Sequence, residues 1–336
     1  MEEPTDPDRG PWVRNVTTGV LILAVFFVAL RLTSRRLRKL KLGIDDWLLL
    51  GALLFLFITA GLNYAMLFYG LGRQASSVSM ETLQMFLKLL VVSQIIFTTG
   101  LMLVKISILQ LYLRIFPSRR FRVAVYVVTG VVLAWWAAIT LLTIFQCQPI
   151  SKSYQPWIPG HCIELYGAYF GSGLPDILSD VVILCLPVSQ VIKLNTTLTN
   201  KIVIGFFFTA GAFATFASIN RLVVVFQVDH ANGTWTLVEP LAWAVIEQAS
   251  ATVSACLPTL RPLLMKLYDL AKVSVKGSSG DDSALGYNSE LVTIGGSTGR
   301  ARMQGGKFLR LTGNEEDRGM STDISIGKGH EPDRET

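Results

Sequence analysis

Five ionisable residues lie deep within long apolar stretches of this 336-residue chain, well away from their ends. They are Lys105, Asp176, Asp180, Arg221 and Glu247. A charge in hydrocarbon is costly, so such residues face one another or a polar cavity, and they often mark substrate, ion or proton paths. Asp176 and Asp180 are four positions apart, which sets both carboxylates on one face of a helix. Burial raises the proton affinity of one member of such a pair and makes it a candidate general acid. By depth along their stretches, Arg221 pairs with Glu247 and Lys105 with Asp180. Buried opposite charges also fix helix packing and nothing more. Structural pairing, a polar ligand pocket and ion or proton conduction therefore all stay open.

Four cysteines bear on chemistry in different ways. Cys147 and Cys162 share one gap between apolar stretches, on the side expected to face an oxidising compartment, where a disulfide is permitted. A closed loop of that size is stabilised by roughly 3 kcal/mol in the chain-entropy model. Cys185 and Cys256 fall inside apolar stretches and read as small buried residues. His161 and His230 lie in gaps and His330 in the tail, so no intramembrane His-metal centre is expected and no metal site is assigned. Asn15 and Asn232 begin Asn-x-Thr sequences, which are glycosylation candidates.

The elements that must position these residues are seven apolar stretches, Trp12–Leu32, Trp47–Gly70, Leu83–Phe116, Phe121–Phe145, Leu165–Leu194, Ile202–Val228 and Leu237–Leu264. Hydrocarbon offers the backbone no hydrogen-bond partners, so each must be a helix, and roughly 20 residues cross the bilayer core. Composition agrees: 51% of residues are hydrophobic and 16% charged, against about 25% charged in a soluble domain. The fold expected is an all-α seven-transmembrane bundle over 12–270. A short extracellular segment, 1–11, precedes it, and a Gly-, Ser- and acid-rich disordered cytoplasmic tail, 271–336, follows.

Lysine and arginine alternate from gap to gap. The first gap holds Arg31, Arg35, Arg36, Arg38, Lys39 and Lys41, the second only Arg73. The third holds Arg114, Arg119, Arg120 and Arg122, the fourth only Lys152. Basic residues crowd the cytoplasmic side of membrane proteins, which sets the N-terminus outside and the C-terminus in the cytoplasm. The net charge of +6 thus records orientation, and no nucleic-acid partner is expected.

Several motifs occur in a telling order. Asp45-Asp46-Trp47 opens the second stretch, and Lys105-Ile-Ser-Ile-Leu-Gln-Leu-Tyr112-Leu-Arg114 closes the third. Phe145-Gln-Cys147-Gln-Pro149, Trp157 and Cys162 form the fourth gap. Asp180 with Leu186-Pro187, Ser218-Ile-Asn-Arg221, Trp243, Glu247 and Cys256-Leu-Pro258-Thr-Leu-Arg261-Pro262 complete the series. Over about 12–265 this resembles the fungal rhodopsin-domain family, which includes SAT4-type and Pth11-like integral membrane proteins. The resemblance implies a seven-helix membrane protein of a filamentous fungus. Some such proteins are proposed surface receptors, and others are encoded in secondary-metabolite gene clusters. A retinal Schiff base needs a lysine facing the bundle from the seventh helix, and none stands between Trp235 and Met265, so no retinal or other cofactor is expected.

The function expected is receptor-like sensing, or an accessory role in a secondary-metabolite pathway. Its partners would be the lipid bilayer, a small lipophilic ligand, and a cytoplasmic signalling partner reached through the basic inner loops and tail. A transporter lining its path with the five charges ranks lower, because no internal repeat is visible. A membrane-bound cyclase or isomerase using Asp176 or Asp180 as acid ranks lower still, and the chain leans away from being an enzyme. The plasma membrane is the favoured location, with an internal membrane as the alternative.

Overall fold

A computed structural model of the chain describes residues 9–74, 78–116, 118–187, 198–228 and 232–276. The tail expected to be disordered from 271 lies, beyond Lys276, outside the described residues, as does most of the segment 1–11. Among the described residues there are seven long helices: α1 (Gly10–Leu37), α2 (Ile44–Phe68), α3 (Met80–Ile115), α4 (Arg119–Ile144), α5 (Leu165–Cys185), α6 (Leu198–Val225) and α7 (Val238–Lys276). A one-turn helix, Gly233–Thr236, leads into α7. Six of the seven, α1 to α6, are long and apolar enough to cross a membrane. α7 is less apolar than those six, because Glu239, Glu247 and Gln248 interrupt it.

Local sequence sets the helix starts. Pro11 sits in the first turn of α1, where its missing N–H would have had no helical partner. Asp46 at the third position of α2 accepts from the Gly43 amide at 3.1 Å, and Ser79 accepts from the Thr82 amide to cap α3. α3 has 36 residues, roughly 54 Å at the helical rise, so it outreaches a bilayer core of about 30 Å. α5 runs unbroken through Pro175 and ends at Cys185, nine residues before the expected Leu194, and 188–197 are outside the described residues. α1 continues to Leu37, five residues past the expected end, and carries Arg31 and Arg35 with it.

Each helix packs on the next in chain order, and α7 returns to α1, closing a ring. α3 and α7 also touch across the ring, and α3 reaches α5. The main apolar core joins Val28, Leu49, Leu109, Val125, Ala255 and Leu260 from α1, α2, α3, α4 and α7. Apolar side chains such as Phe26, Trp47, Phe68, Val127 and Phe216 point outward, as a lipid-facing surface requires. Between α4 and α5, β1 (Cys147–Gln148) pairs antiparallel with β2 (His161–Cys162), Cys147 opposite Cys162. Those two cysteines form a disulfide, and Lys152 Nζ donates to the Gly160 carbonyl at 2.6 Å inside the loop.

Close approach of α3 to α7 depends on Gly100. A Cβ there would lie 2.0 Å from Gln248 Nε2 and 3.2 Å from the Phe55 Cβ, and Gln248 is fully buried. Small residues at helix contacts allow backbones this near in membranes. Gly100→Ala is therefore expected to destabilise the bundle by about 1–3 kcal/mol through overpacking. Gly19→Ala on α1, whose Cβ would meet nothing within 4 Å, is the control and should cost nothing. Unfolding in detergent, followed for both variants, checks the difference.

Candidate functional site

The five charged residues singled out by sequence converge on one cluster among α3, α5, α6 and α7. Lys105 Nζ lies 2.5 Å from Asp176 Oδ1 and 2.9 Å from Asp180 Oδ1. It also donates to Ser179 Oγ at 2.8 Å and stands 5.3 Å from the centre of the Trp135 ring. Arg221 donates through Nε to Glu247 Oε2 at 2.6 Å and through Nη2 to Asp176 Oδ2 at 3.3 Å. Its guanidinium lies over the Phe97 ring. Ser218 Oγ sits between two carboxylates, 2.8 Å from Asp180 Oδ2 and 2.9 Å from Glu247 Oε1. Both cations thus reach Asp176, and the two expected pairs form one continuous network rather than two separate bridges.

The helices hold this network by their registers. Asp176, Ser179 and Asp180 share one face of α5, opposite Lys105. Ser218 and Arg221 share one face of α6, opposite Glu247. Trp135 and Trp136 brace α4 from mid-helix: Trp135 Nε1 donates to the Ser172 carbonyl at 2.9 Å, and Trp136 Nε1 to Thr99 Oγ1 at 3.1 Å. Oxygens of Asp176, Asp180 and Glu247 lie within 4.8 Å of one another, a spacing that a small cation can bridge, but Lys105 and Arg221 already stand against all three.

Two cavities flank the network. The larger, about 310 Å³, is lined by Asn63, Ser93, Gln94, Phe97, Thr143, Tyr169, Ser172 and Arg221 together with leucines of α3 and α7. Gln146 and Ser153, beside the disulfide, also line it. The smaller, about 40 Å³, lies on the other side, against Lys105, Tyr112, Asp180, Thr215 and Ser254. Arg221 faces the first and Lys105 and Asp180 the second.

A second buried charge cluster was not anticipated. Arg31 is fully buried and donates through Nη2 to Asp45 Oδ2 at 2.6 Å, through Nε to Asp46 Oδ1 at 3.0 Å, and through Nη1 to the Ala255 carbonyl at 2.6 Å. Arg35 pairs with Asp46 Oδ2 at 2.6 Å and also contacts Asp45. Arg114 reaches Asp45 Oδ1 at 3.5 Å from a side chain that is 45% exposed. Ser107 Oγ donates to the Asp45 carbonyl at 2.7 Å. Read from sequence, Arg31 and Arg35 were loop charges that set orientation. The structure corrects this: both are helical, buried and paired, and they tie α1 to α2, with Arg31 adding α7. The available signal was Asp45-Asp46, two acids standing at a helix start on the basic side of the bundle.

The remaining sequence candidates fall elsewhere. Asn15 projects from α1, and Thr17 of its sequon is fully buried. Asn232 precedes the one-turn helix, where Thr234 Oγ1 donates to the Arg73 carbonyl at 2.7 Å. In both sequons the threonine is engaged in packing.

Long apolar helices, buried ion networks and a disulfide-tied loop define a multi-pass helical membrane protein. The chain belongs to the fungal rhodopsin domain family, whose model matches residues 30–266. It is similar to a SAT4 family membrane protein of Emericella nidulans, 29% identical over 236 residues that make up 67% of this chain and 60% of that protein. It is 28% identical to the polyenoic acids biosynthesis gene cluster protein Ba17b of Metarhizium anisopliae, over 73% of this chain and 71% of that one. The satratoxin biosynthesis SC1 cluster protein 4 of Stachybotrys chartarum is 30% identical over 52% of this chain and 66% of its own length. The chain thus spans about three fifths of the length of the Emericella relative. No solved structure matches it.

Removing Arg31 leaves two buried carboxylates short of a partner. Arg31→Met is expected to cost about 3–5 kcal/mol, the usual penalty for breaking a buried pair from one side. Arg114→Gln removes a half-exposed, longer contact and should cost at most about 1 kcal/mol. Reversible unfolding in mixed micelles compares the two, and equal losses would contradict the assignment of Arg31 as the anchor.

Proposed function

We propose that the chain crosses the membrane seven times, with its N-terminus outside and its C-terminus in the cytoplasm. It binds a small lipophilic metabolite in the larger cavity, as a receptor-like sensor or as an accessory to a secondary-metabolite pathway. The observation that carries this reading is the cavity of about 310 Å³, a size at the lower end of small-molecule sites. Its wall mixes leucines and Phe97 with Asn63, Ser93, Gln94 and Arg221. Such a surface suits a ligand that is mostly apolar and bears a few hydrogen-bonding groups.

The alternation of basic and non-basic gaps supports the orientation. The disulfide-tied segment lies at the cavity's end of the bundle, which fits that end facing an oxidising space. α7 is surrounded by α1, α2, α3 and α6, so its polar residues need not meet lipid, and its modest apolarity is compatible with a seventh crossing. Relatives whose names place them in biosynthesis clusters support a metabolite as the ligand. The plasma membrane is the proposed location, and the basic loops and tail are the proposed contact for a cytoplasmic signalling partner.

Two measurements test this. A tag on the N-terminus should be reached by antibody on intact cells, and a tag on the C-terminus only after permeabilisation; both reached on intact cells would refute the seven crossings. Ala244 lines the cavity, and Ala244→Phe should fill it. Small molecules released by denaturing the purified wild-type protein should include a lipophilic metabolite that is missing from the Ala244→Phe protein, while both unfold at the same temperature. The same molecules from both would reject the cavity as the site.

A further inference from the structure

The cluster beside the cavity holds three carboxylates, Asp176, Asp180 and Glu247, against two cations, Lys105 and Arg221. One negative charge is left over in a place almost closed to solvent. Asp176 is fully buried and Glu247 is 1% exposed. Leaving a lone charge in such surroundings is far costlier than neutralising it.

Hydrogen bonding at Ser218 asks for the same correction independently. A hydroxyl owns one proton and can donate it once. Ser218 Oγ nevertheless lies 2.8 Å from Asp180 Oδ2 and 2.9 Å from Glu247 Oε1, with the Ala214 carbonyl at 3.2 Å. Two ionised carboxylates at those distances would leave one oxygen facing an oxygen with no hydrogen between them. If one carboxyl group is protonated, it donates to Ser218 Oγ, and Ser218 donates to the other. The other oxygen of each is already served, Asp180 Oδ1 by Lys105 and Glu247 Oε2 by Arg221.

We propose that Asp180, Ser218 and Glu247 form a proton-binding site that holds one proton between the two carboxyl groups in the folded protein. The facing charged and titratable groups are Lys105 and Tyr112 on α3, Asp176 on α5 and Arg221 on α6. Asp176 also stands against Glu247, but it is the carboxylate matched by both cations, Lys105 at Oδ1 and Arg221 at Oδ2, so the proton is assigned to the two carboxyl groups that share Ser218. The proton exchanges through the smaller cavity. Asp180 is the one carboxylate of the three with appreciable exposure, 16% at the side chain, and it lines that cavity. About 40 Å³ is room for water, since one molecule needs roughly 10–15 Å³ by the same measure. Tyr112 lines the cavity as well, and its buried hydroxyl has no partner among the described residues, so it can hold such a water. The bound proton makes the cluster neutral, and Arg221 then meets the larger cavity as a fully matched cation.

The site makes an unusual demand on variants. Asp180→Asn or Glu247→Gln each imitates the protonated group, so either alone should leave the melting temperature in detergent near that of the wild type. The double variant, D180N with E247Q, leaves a net positive cluster and should melt far lower, as should Lys105→Met. A fully ionised network carries one uncompensated negative charge, so it predicts instead that each single amide removes that excess and melts well above the wild type, and that result overturns the proposal. Infrared spectra of the purified protein in an ester-free detergent at neutral pH give a second readout that does not depend on any variant folding. The carbonyl stretch of a protonated carboxylic acid should be present in the wild type, shift in deuterated water, and disappear in each single amide variant. Its absence from the wild type overturns the proposal, as does stabilisation by sodium chloride over choline chloride without that band.

Discussion

Lys105 is held by two aspartates of α5 in a region largely closed to water, and much of the bundle is arranged around that condition. The ammonium fixes the rotation of α5 against α3. Asp176 then extends the contact to Arg221 on α6, and Arg221 extends it to Glu247 on α7. Four helices are thereby given one register. Apolar packing alone would specify it weakly, because lipid tails are as good a neighbour for leucine as another helix is. Such networks serve specificity more than net stability, since desolvation offsets much of the attraction.

The second cluster solves a related problem at the opposite end. Arg31 joins α1 to α2 through Asp45 and Asp46 and to α7 through the Ala255 carbonyl. One ion network therefore orders α3, α5, α6 and α7, and the other orders α1 and α2 against α7. α7 is the member common to both. The larger cavity opens between the first network and the disulfide-tied loop, and its wall mixes leucines with polar side chains.

Much of this was legible in the residues. Seven helices follow from seven apolar runs, and each charged residue of the central cluster stands out because it interrupts such a run. Pairing was only partly legible. Depth along the helices placed Lys105 near Asp180 and Arg221 near Glu247, but depth carries no information about rotation. The fact that both cations also share Asp176 depends on how α3, α5 and α6 turn toward one another, across separations of 71 and 45 residues. Arg31 and Arg35 were misread for a different reason. Basic residues beside an apolar run usually report orientation, and the same pattern conceals an arginine that the helix carries inward to meet a carboxylate. Ser218 was visible only as part of a motif, because a serine between two acids is a tertiary fact.

α7 carries two glutamates and a glutamine where its neighbours carry leucine and phenylalanine. Moved alone from water into a bilayer, it would be the least willing of the seven to enter. Glu247 and the Gln248 side-chain oxygen find their partners only after α6 and α2 stand beside it. On the proposed seven crossings, insertion of the last helix is thus coupled to assembly of the earlier ones, so a defect in an early partner such as Arg31 or Arg221 should surface during biogenesis as a final segment left outside the lipid.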